Sequence, residues 1–146
     1  VTVTVKMSAA WTGGMRFVHR SHTGHEVITD APVEKGGSGT AATPMELLLH
    51  GLIGCTGVDV SSILLRMKQP LEALEVEVAA ERSEEHPKVY TSIHVTYILT
   101  GDLDEAKVKR AIHLSESTYC SASAMLGKTA TISNEFRILP PHPVTG

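Results

Sequence analysis

Aromatic side chains make up only 4% of this sequence, with a single tryptophan among them. So small a set leaves little surface on which bases could stack, and a formal net charge of −3 gives no attraction for a phosphate backbone. Nucleic acid is therefore not an expected partner. There is no basic run and no cationic amphipathic stretch to hold a membrane surface, so no membrane partner is expected either. The first residues lack the charged-then-apolar pattern of a signal segment, and the expected location is the cytoplasm. Cysteine is nearly absent: Cys55 and Cys120 are the whole set. Two are too few for a disulfide-stapled secreted scaffold. In a reducing compartment they would be metal ligands, redox thiols or core filler. The sequence also has no CxxC, no HExxH and no GxSxG, and Gly36-Gly37-Ser38-Gly39 lacks the Lys-Ser or Lys-Thr pair of a phosphate-binding loop. No cofactor and no metal are expected.

Apolar residues, at 42%, are plentiful enough for a packed core, and they concentrate between Pro44 and Lys68. Thr43 can accept a hydrogen bond from the first free amides, and Pro44 suits the first helical position. Glu46 lies in the first turn, and Arg66 and Lys68 in the last, each on the favourable side of the helix dipole. Gln69-Pro70 ends the helix. Leu47, Leu48, Leu49, Leu52, Ile53, Val58, Val60, Ile63, Leu64 and Leu65 cover most of its circumference, the pattern of a helix buried all round. His50, Asp59 and three glycines interrupt it, which argues against a bilayer span. Gly51, Gly54 and Gly57 reduce helicity and predict close approach by a neighbour.

Around this helix the chain reads as strands and turns. Val1, Val3, Val5 and Met7 alternate with polar residues, predicting a strand from Val1 to Trp11. Arg16 to Arg20 and His25 to Thr29 follow as short strands of an antiparallel meander. Asp30 to Ala42, rich in Gly, Pro, Ser and Ala, reads as a mobile loop. Leu71 to Arg82 and Val89 to Thr100 alternate as a long hairpin with one dry face. Asp102 and Glu105 are spaced as a capping box for a helix over 103–117. A short helix over 122–126 and a last strand over 129–139 complete the order. The architecture is therefore α+β in a single domain of 1–146: strands over 1–29, the central helix over 44–68, a hairpin over 71–100, helices over 103–126 and a strand over 129–139. A helix over 44–68 would run roughly 37 Å, long for the interior of so small a domain. Cover from a second chain resolves this, and a homodimer with intertwined sheets is expected.

The two thiols carry the sharpest chemical possibility. A thiolate attacks a peroxide oxygen to give a sulfenic acid, and a second thiol condenses with it to a disulfide before over-oxidation. Cys55, mid-helix, gains little from the helix dipole and would need a cation, for which Arg16 or Arg20 is the candidate. Cys120 falls in a break between helices, where it can face Cys55. Against this stands the plain alternative that unpaired cysteine is a small buried hydrophobe. The residues alone leave the two readings about even. His19, His22 and His25 recur every third residue but read as an exposed strand and turn, and His50 as a core or interface histidine.

The run TPMELLLHGLIGC, the GCTGVDV that overlaps it, and the later YCSASAML resemble the OsmC/Ohr family, osmotically induced and organic hydroperoxide resistance proteins, and within it the OsmC-like branch. The resemblance spans nearly the whole chain. It implies the OsmC-like α+β fold, with antiparallel sheets around a long buried central helix, and an intertwined homodimer with two sites at its interface. It also implies a cysteine-based, thiol-dependent hydroperoxide reductase acting in oxidative-stress defence. Its substrates would be organic hydroperoxides and its reductant a dithiol, such as a lipoylated protein. On that resemblance Cys55 matches the peroxidatic cysteine and Cys120 the resolving one. Arg16, with Arg20 second, matches the activating arginine. The position of the family's catalytic glutamate is Met45 here, with Glu46 next to it. A one-residue step turns a side chain about 100° around a helix. Two other functions therefore stay open: a non-enzymatic small-ligand-binding protein, and thiol chemistry on an electrophile other than peroxide.

Overall fold

The computed structural model describes residues 2–144, so Val1 lies outside the described residues. Among the described residues, two three-stranded sheets and three α-helices give an α+β fold. It divides between Leu49 and His50 into two compact units.

The first unit holds the meander. Strands β1 (Ser8–Trp11), β2 (Phe17–Arg20) and β3 (Glu26–Thr29) pair antiparallel in that order. Gly13 and Gly14, both at positive φ, turn β1 into β2, and the turn closes through Thr12 N–H to the Arg16 carbonyl at 2.9 Å. The first strand is shorter than its alternation predicts. Pairing begins at Ser8↔Arg20, and residues 2–7, with no strand beside them, stay irregular and exposed. Period two shows that a segment can be a strand; a partner decides whether it is one.

The loop over 30–42 is pinned rather than mobile. Asp30 is 1% exposed. Its carboxylate accepts from the amides of Ala31 (2.7 Å), Ser38 (3.4 Å) and Thr40 (3.1 Å), and from the Thr40 hydroxyl (2.7 Å). Those bonds, the Thr40 hydroxyl's first, hold its pKa down at about 2. The chain turns so tightly that a Cβ on Gly37 would collide with the Ala31 carbonyl. Low complexity signals a loop, but one buried carboxylate sets its order.

Helix α1 (Pro44–Arg66) starts as predicted. The Thr43 hydroxyl accepts from Glu46 N–H and donates to the Glu46 carboxylate, each at 3.2 Å. This is one half of a capping box, with the Glu46 carboxylate taking the Thr43 hydroxyl rather than its amide. The helix ends at Arg66, and Lys68 takes the left-handed conformation at φ 58.

In the second unit, β4 (Leu71–Arg82), β5 (Tyr90–Gly101) and β6 (Thr131–Leu139) form a mixed sheet. The β4–β5 hairpin is antiparallel, as expected, but β6 joins β5 parallel, so the expectation of antiparallel sheets fails here. The physical reason is the helical crossover between β5 and β6: α2 (Glu105–Leu114), a π turn (Ser115–Tyr119) and α3 (Ser121–Leu126) return the chain to the sheet in the same direction. Asp104, not Asp102, caps α2, accepting from Lys107 N–H at 3.1 Å. The core is the dry side of β5, with Ile93, Val95, Tyr97 and Leu99 fully buried, joined by Val108, Ala111 and Ile112 of α2.

The expectation of a helix buried all round is not met within one chain. α1 buries one stripe, Leu52, Thr56, Val60 and Leu64, at four-residue spacing. Leu48, Val58 and Leu65 are 47%, 66% and 60% exposed. A Cβ on Gly51 or Gly54 would meet nothing within 4 Å, and one on Gly57 would make only an ordinary contact with Val76 at 3.8 Å. A single chain has one sheet face to offer this part of the helix. By length and composition α1 could cross a bilayer, with a mean hydropathy of 1.6 over its best window. In this fold its stripe packs instead. His50 is exposed, which removes the core reading of that residue.

Candidate functional site

The second unit brings the two cysteines together. Cys55 lies on α1, one residue before buried Thr56, whose hydroxyl turns back to the Leu52 carbonyl at 2.9 Å. Thr56 so occupied leaves Cys55 on the flank of the buried stripe, half-buried. Cys120 is 3% exposed and forms the N-cap of α3, its sulfur accepting from Ser123 N–H at 3.3 Å. The π turn immediately before it makes that break; such turns recur at functional sites because they re-aim side chains.

A third group belongs to the cluster. Asp59 stands one turn after Cys55 on α1, and its carboxylate and the two sulfurs all lie within 4.8 Å of one another. The Ser115 hydroxyl, fully buried in the π turn, donates to Asp59 Oδ2 at 3.0 Å. Behind the cluster, the Tyr97 hydroxyl donates to Glu116 Oε1 at 2.8 Å, and Asn134 donates to Glu116 Oε2 at 2.6 Å. Residues 115 and 116 are thus held from three sides, by α1, β5 and β6.

Burial sets the protonation of this region. It pushes the Cys120 thiol up, aided by the Cys55 sulfur beside it. It pushes the Tyr97 phenol up as well, with the Glu116 charge adding to the effect. Cys120 is therefore held as a neutral thiol next to a more accessible sulfur. That arrangement can form a disulfide, transfer a proton or hold a thiophilic ion.

The other predicted residues have partners in the first unit. Arg16 sits at the end of the β1–β2 turn and donates from Nη1 to the Thr12 hydroxyl at 3.1 Å. Arg20 is ion-paired with Glu26 at 3.1 Å, both side chains exposed, and also reaches the Gly24 carbonyl. Glu46 is engaged in the cap of α1. His19, His22 and His25 do not converge: they bond to Thr29, to the Lys6 amide and to Thr23 respectively. A separate open cavity of about 740 Å³ lies between α2 and β6, with Glu105, Lys109, His113, Glu116 and Asn134 in its wall and neither cysteine among its lining.

Sequence reasoning missed Asp59 and Ser115. The Cys55–Asp59 spacing of four residues on one helix was the available signal for the first. Ser115 had none, since its role depends on a π turn that no local pattern announces.

The family profile described as OsmC-like protein matches residues 37–135. Protein YhfA of Escherichia coli strain K12 is 38% identical over 131 residues, covering 88% of this chain and 94% of its own. Among solved structures, a hypothetical protein from Aquifex aeolicus VF5 superposes with a TM-score of 0.85 at 26% identity, over 97% of this chain and all (100%) of that one. An organic hydroperoxide resistance protein OsmC from Legionella pneumophila shares the fold, with a TM-score of 0.71 at 17% identity over 93% of this chain and 98% of that one. Matched over most of its length by the profile and by a relative above 30% identity, the chain belongs to the OsmC-like family.

Proposed function

We propose that this protein reduces organic hydroperoxides by a thiol-dependent reaction that cycles through a Cys55–Cys120 disulfide. The observation that carries the reading is the convergence of the chain's only two thiols, one half-buried and one buried, to within 4.8 Å. Cys55 thiolate attacks the distal peroxide oxygen; the O–O bond breaks, and the alkoxide leaves as an alcohol after taking a proton. Cys55 is now a sulfenic acid. Cys120, kept protonated by burial, loses its proton as its sulfur attacks Cys55, and water leaves. An external dithiol returns both sulfurs to thiols and is itself oxidised to a disulfide.

The roles divide by exposure. Cys55 meets the peroxide because it is the more accessible thiol, and Cys120 resolves. The activating guanidinium is assigned to Arg16, since Arg20 is already paired with Glu26. Glu46 assists only if it leaves its cap with Thr43. That commitment is also what favours a second reading, in which the same two thiols act on an electrophile other than peroxide.

The working unit is a homodimer. The uncovered apolar side of α1, with Val58 66% and Leu65 60% exposed, adjoins a groove lined by Ile53, Gly57, Leu74 and Val76. An apolar face of this kind is normally covered by a partner.

Reduced protein is treated with one equivalent of cumene hydroperoxide and weighed under non-reducing conditions. A loss of two hydrogens with one equivalent of alcohol is expected, none in Cys55→Ser and oxygen adducts instead in Cys120→Ser. An unchanged mass for the wild-type chain overturns the reading. Disulfide formation with other electrophiles but not with peroxide selects the second one. Light scattering at micromolar concentration tests the dimer, which a monomer mass would exclude.

A further inference from the structure

We infer that the reduced form of this protein binds one zinc-class divalent ion between Cys55, Asp59 and Cys120, and that this ion and the disulfide exclude each other. The inference uses the sulfurs of the proposed peroxidase site but does not depend on that reaction. Two sulfurs and a carboxylate, drawn from α1 and from the start of α3, lie within 4.8 Å of one another. A tetrahedral ion with bonds of about 2.3 Å to sulfur and about 2.0–2.2 Å to oxygen needs donors roughly 3.5–3.8 Å apart. The cluster is therefore nearly at the required size.

The donor set selects the ion. Thiolates favour thiophilic metals, and a set of two thiolates and one carboxylate suits zinc over magnesium or calcium, which take oxygen donors. Three protein ligands leave a fourth vertex for water. Binding one Zn²⁺ releases the two thiol protons, leaving a site of net charge −1 without oxidation or reduction. Asp59 is already oriented for the role. The buried Ser115 hydroxyl holds one of its oxygens at 3.0 Å, the outer contact that metal-binding carboxylates commonly have. Of the described residues, this is the convergence of potential ligands, while the histidines of the meander point to separate partners. Once the sulfurs bond to each other, their lone pairs no longer converge on an ion and the site is gone. An occupied site in turn removes the free Cys55 thiolate.

The test titrates reduced full-length protein with Co²⁺ as a spectroscopic probe and with Zn²⁺ by chelator competition. One equivalent per chain is expected, with a thiolate-to-cobalt charge-transfer band and tetrahedral ligand-field bands. Both cysteines should become resistant to a thiol reagent at one equivalent of Zn²⁺, and Mg²⁺ should not substitute. The pre-formed disulfide should not bind. Asp59→Asn should weaken Zn²⁺ by roughly a hundredfold and Ser115→Ala by about tenfold, with Ser115→Thr restoring it. No stoichiometric binding, or protection of one cysteine alone, overturns the inference on the wild-type protein without recourse to any variant. Equal affinity in a folded Asp59→Asn overturns it too. Hydroperoxide treatment of the metal-free protein separates the two proposals: disulfide without metal binding sinks the zinc site alone, and metal binding without disulfide sinks the peroxidase alone.

Discussion

The two sheets of this protein have three strands each but differ in strand length and are opposite in character. The strands β4, β5 and β6 are built around β5, where five residues, Tyr97 through Gly101, are buried in succession. In the meander, by contrast, β1 is exposed at all four positions and β3 is buried only at Thr29. Trp11 is 65% exposed and Phe17 40%. The β5 sheet derives its order from an apolar core. The meander derives its order from turns and ladder hydrogen bonds, and the loop that follows it from the Asp30 staple. The contrast shows that alternation along a strand reports a periodicity, whereas cover is a property of what lies opposite.

The largest effect should come from the buried sheet. Leu99→Ala removes a fully buried side chain. It should lower unfolding stability by roughly 2–5 kcal/mol, read by urea titration. An effect below about 1 kcal/mol would mean that β5 is not the centre of the core.

Next comes the staple. The Asp30 carboxyl is held at about 2, below its ordinary 3.8. A depressed folded value means the carboxylate contributes stability in full above the unfolded pKa. That contribution declines as pH falls through about 2. Asp30→Asn should lower the thermal midpoint at pH 7 and flatten the acid limb between about pH 4 and pH 2. It should also speed amide exchange at Ser38 and Thr40 in particular. Unchanged exchange there would show that the loop is held by something else.

The cap on α2 should matter less. Asp104→Ala removes the acceptor for Lys107 N–H, a loss of about 1 kcal/mol. Asp102→Ala should be close to neutral, and the reverse order would restore the cap position read from the sequence. Smallest of all should be Trp11→Ala. If the meander stands on its own, the change in unfolding free energy should stay within about 0.5 kcal/mol. A large, concentration-dependent loss would instead place Trp11 under a second copy of the chain and sharpen the dimer proposal.

Much of this could be read without coordinates. The start of α1 follows from Thr43, Pro44 and Glu46, and the hairpin from the alternation at Leu74–Ala80 and Ile93–Leu99. These are local effects: a cap satisfies free amides a few residues away, and a strand shows its own period. The two cysteines could be singled out as a candidate chemical centre because they are the chain's only thiols and fall on two apolar helical elements. The parallel pairing of β6, the cap at Asp104 and the pinned loop were not legible. Each depends on a neighbour distant in sequence or on a choice between equivalent local options.

By itself, the sequence determined the element types, the α+β class and the family, because capping, periodicity and motif spacing are carried by neighbouring residues. Only the tertiary structure decided which face of α1 is covered. It alone joined Asp59 and Ser115 to the two sulfurs, and it alone left the meander exposed. Burial and convergence depend on which segments fold onto one another, and the spacing of residues along a chain contains no such distance.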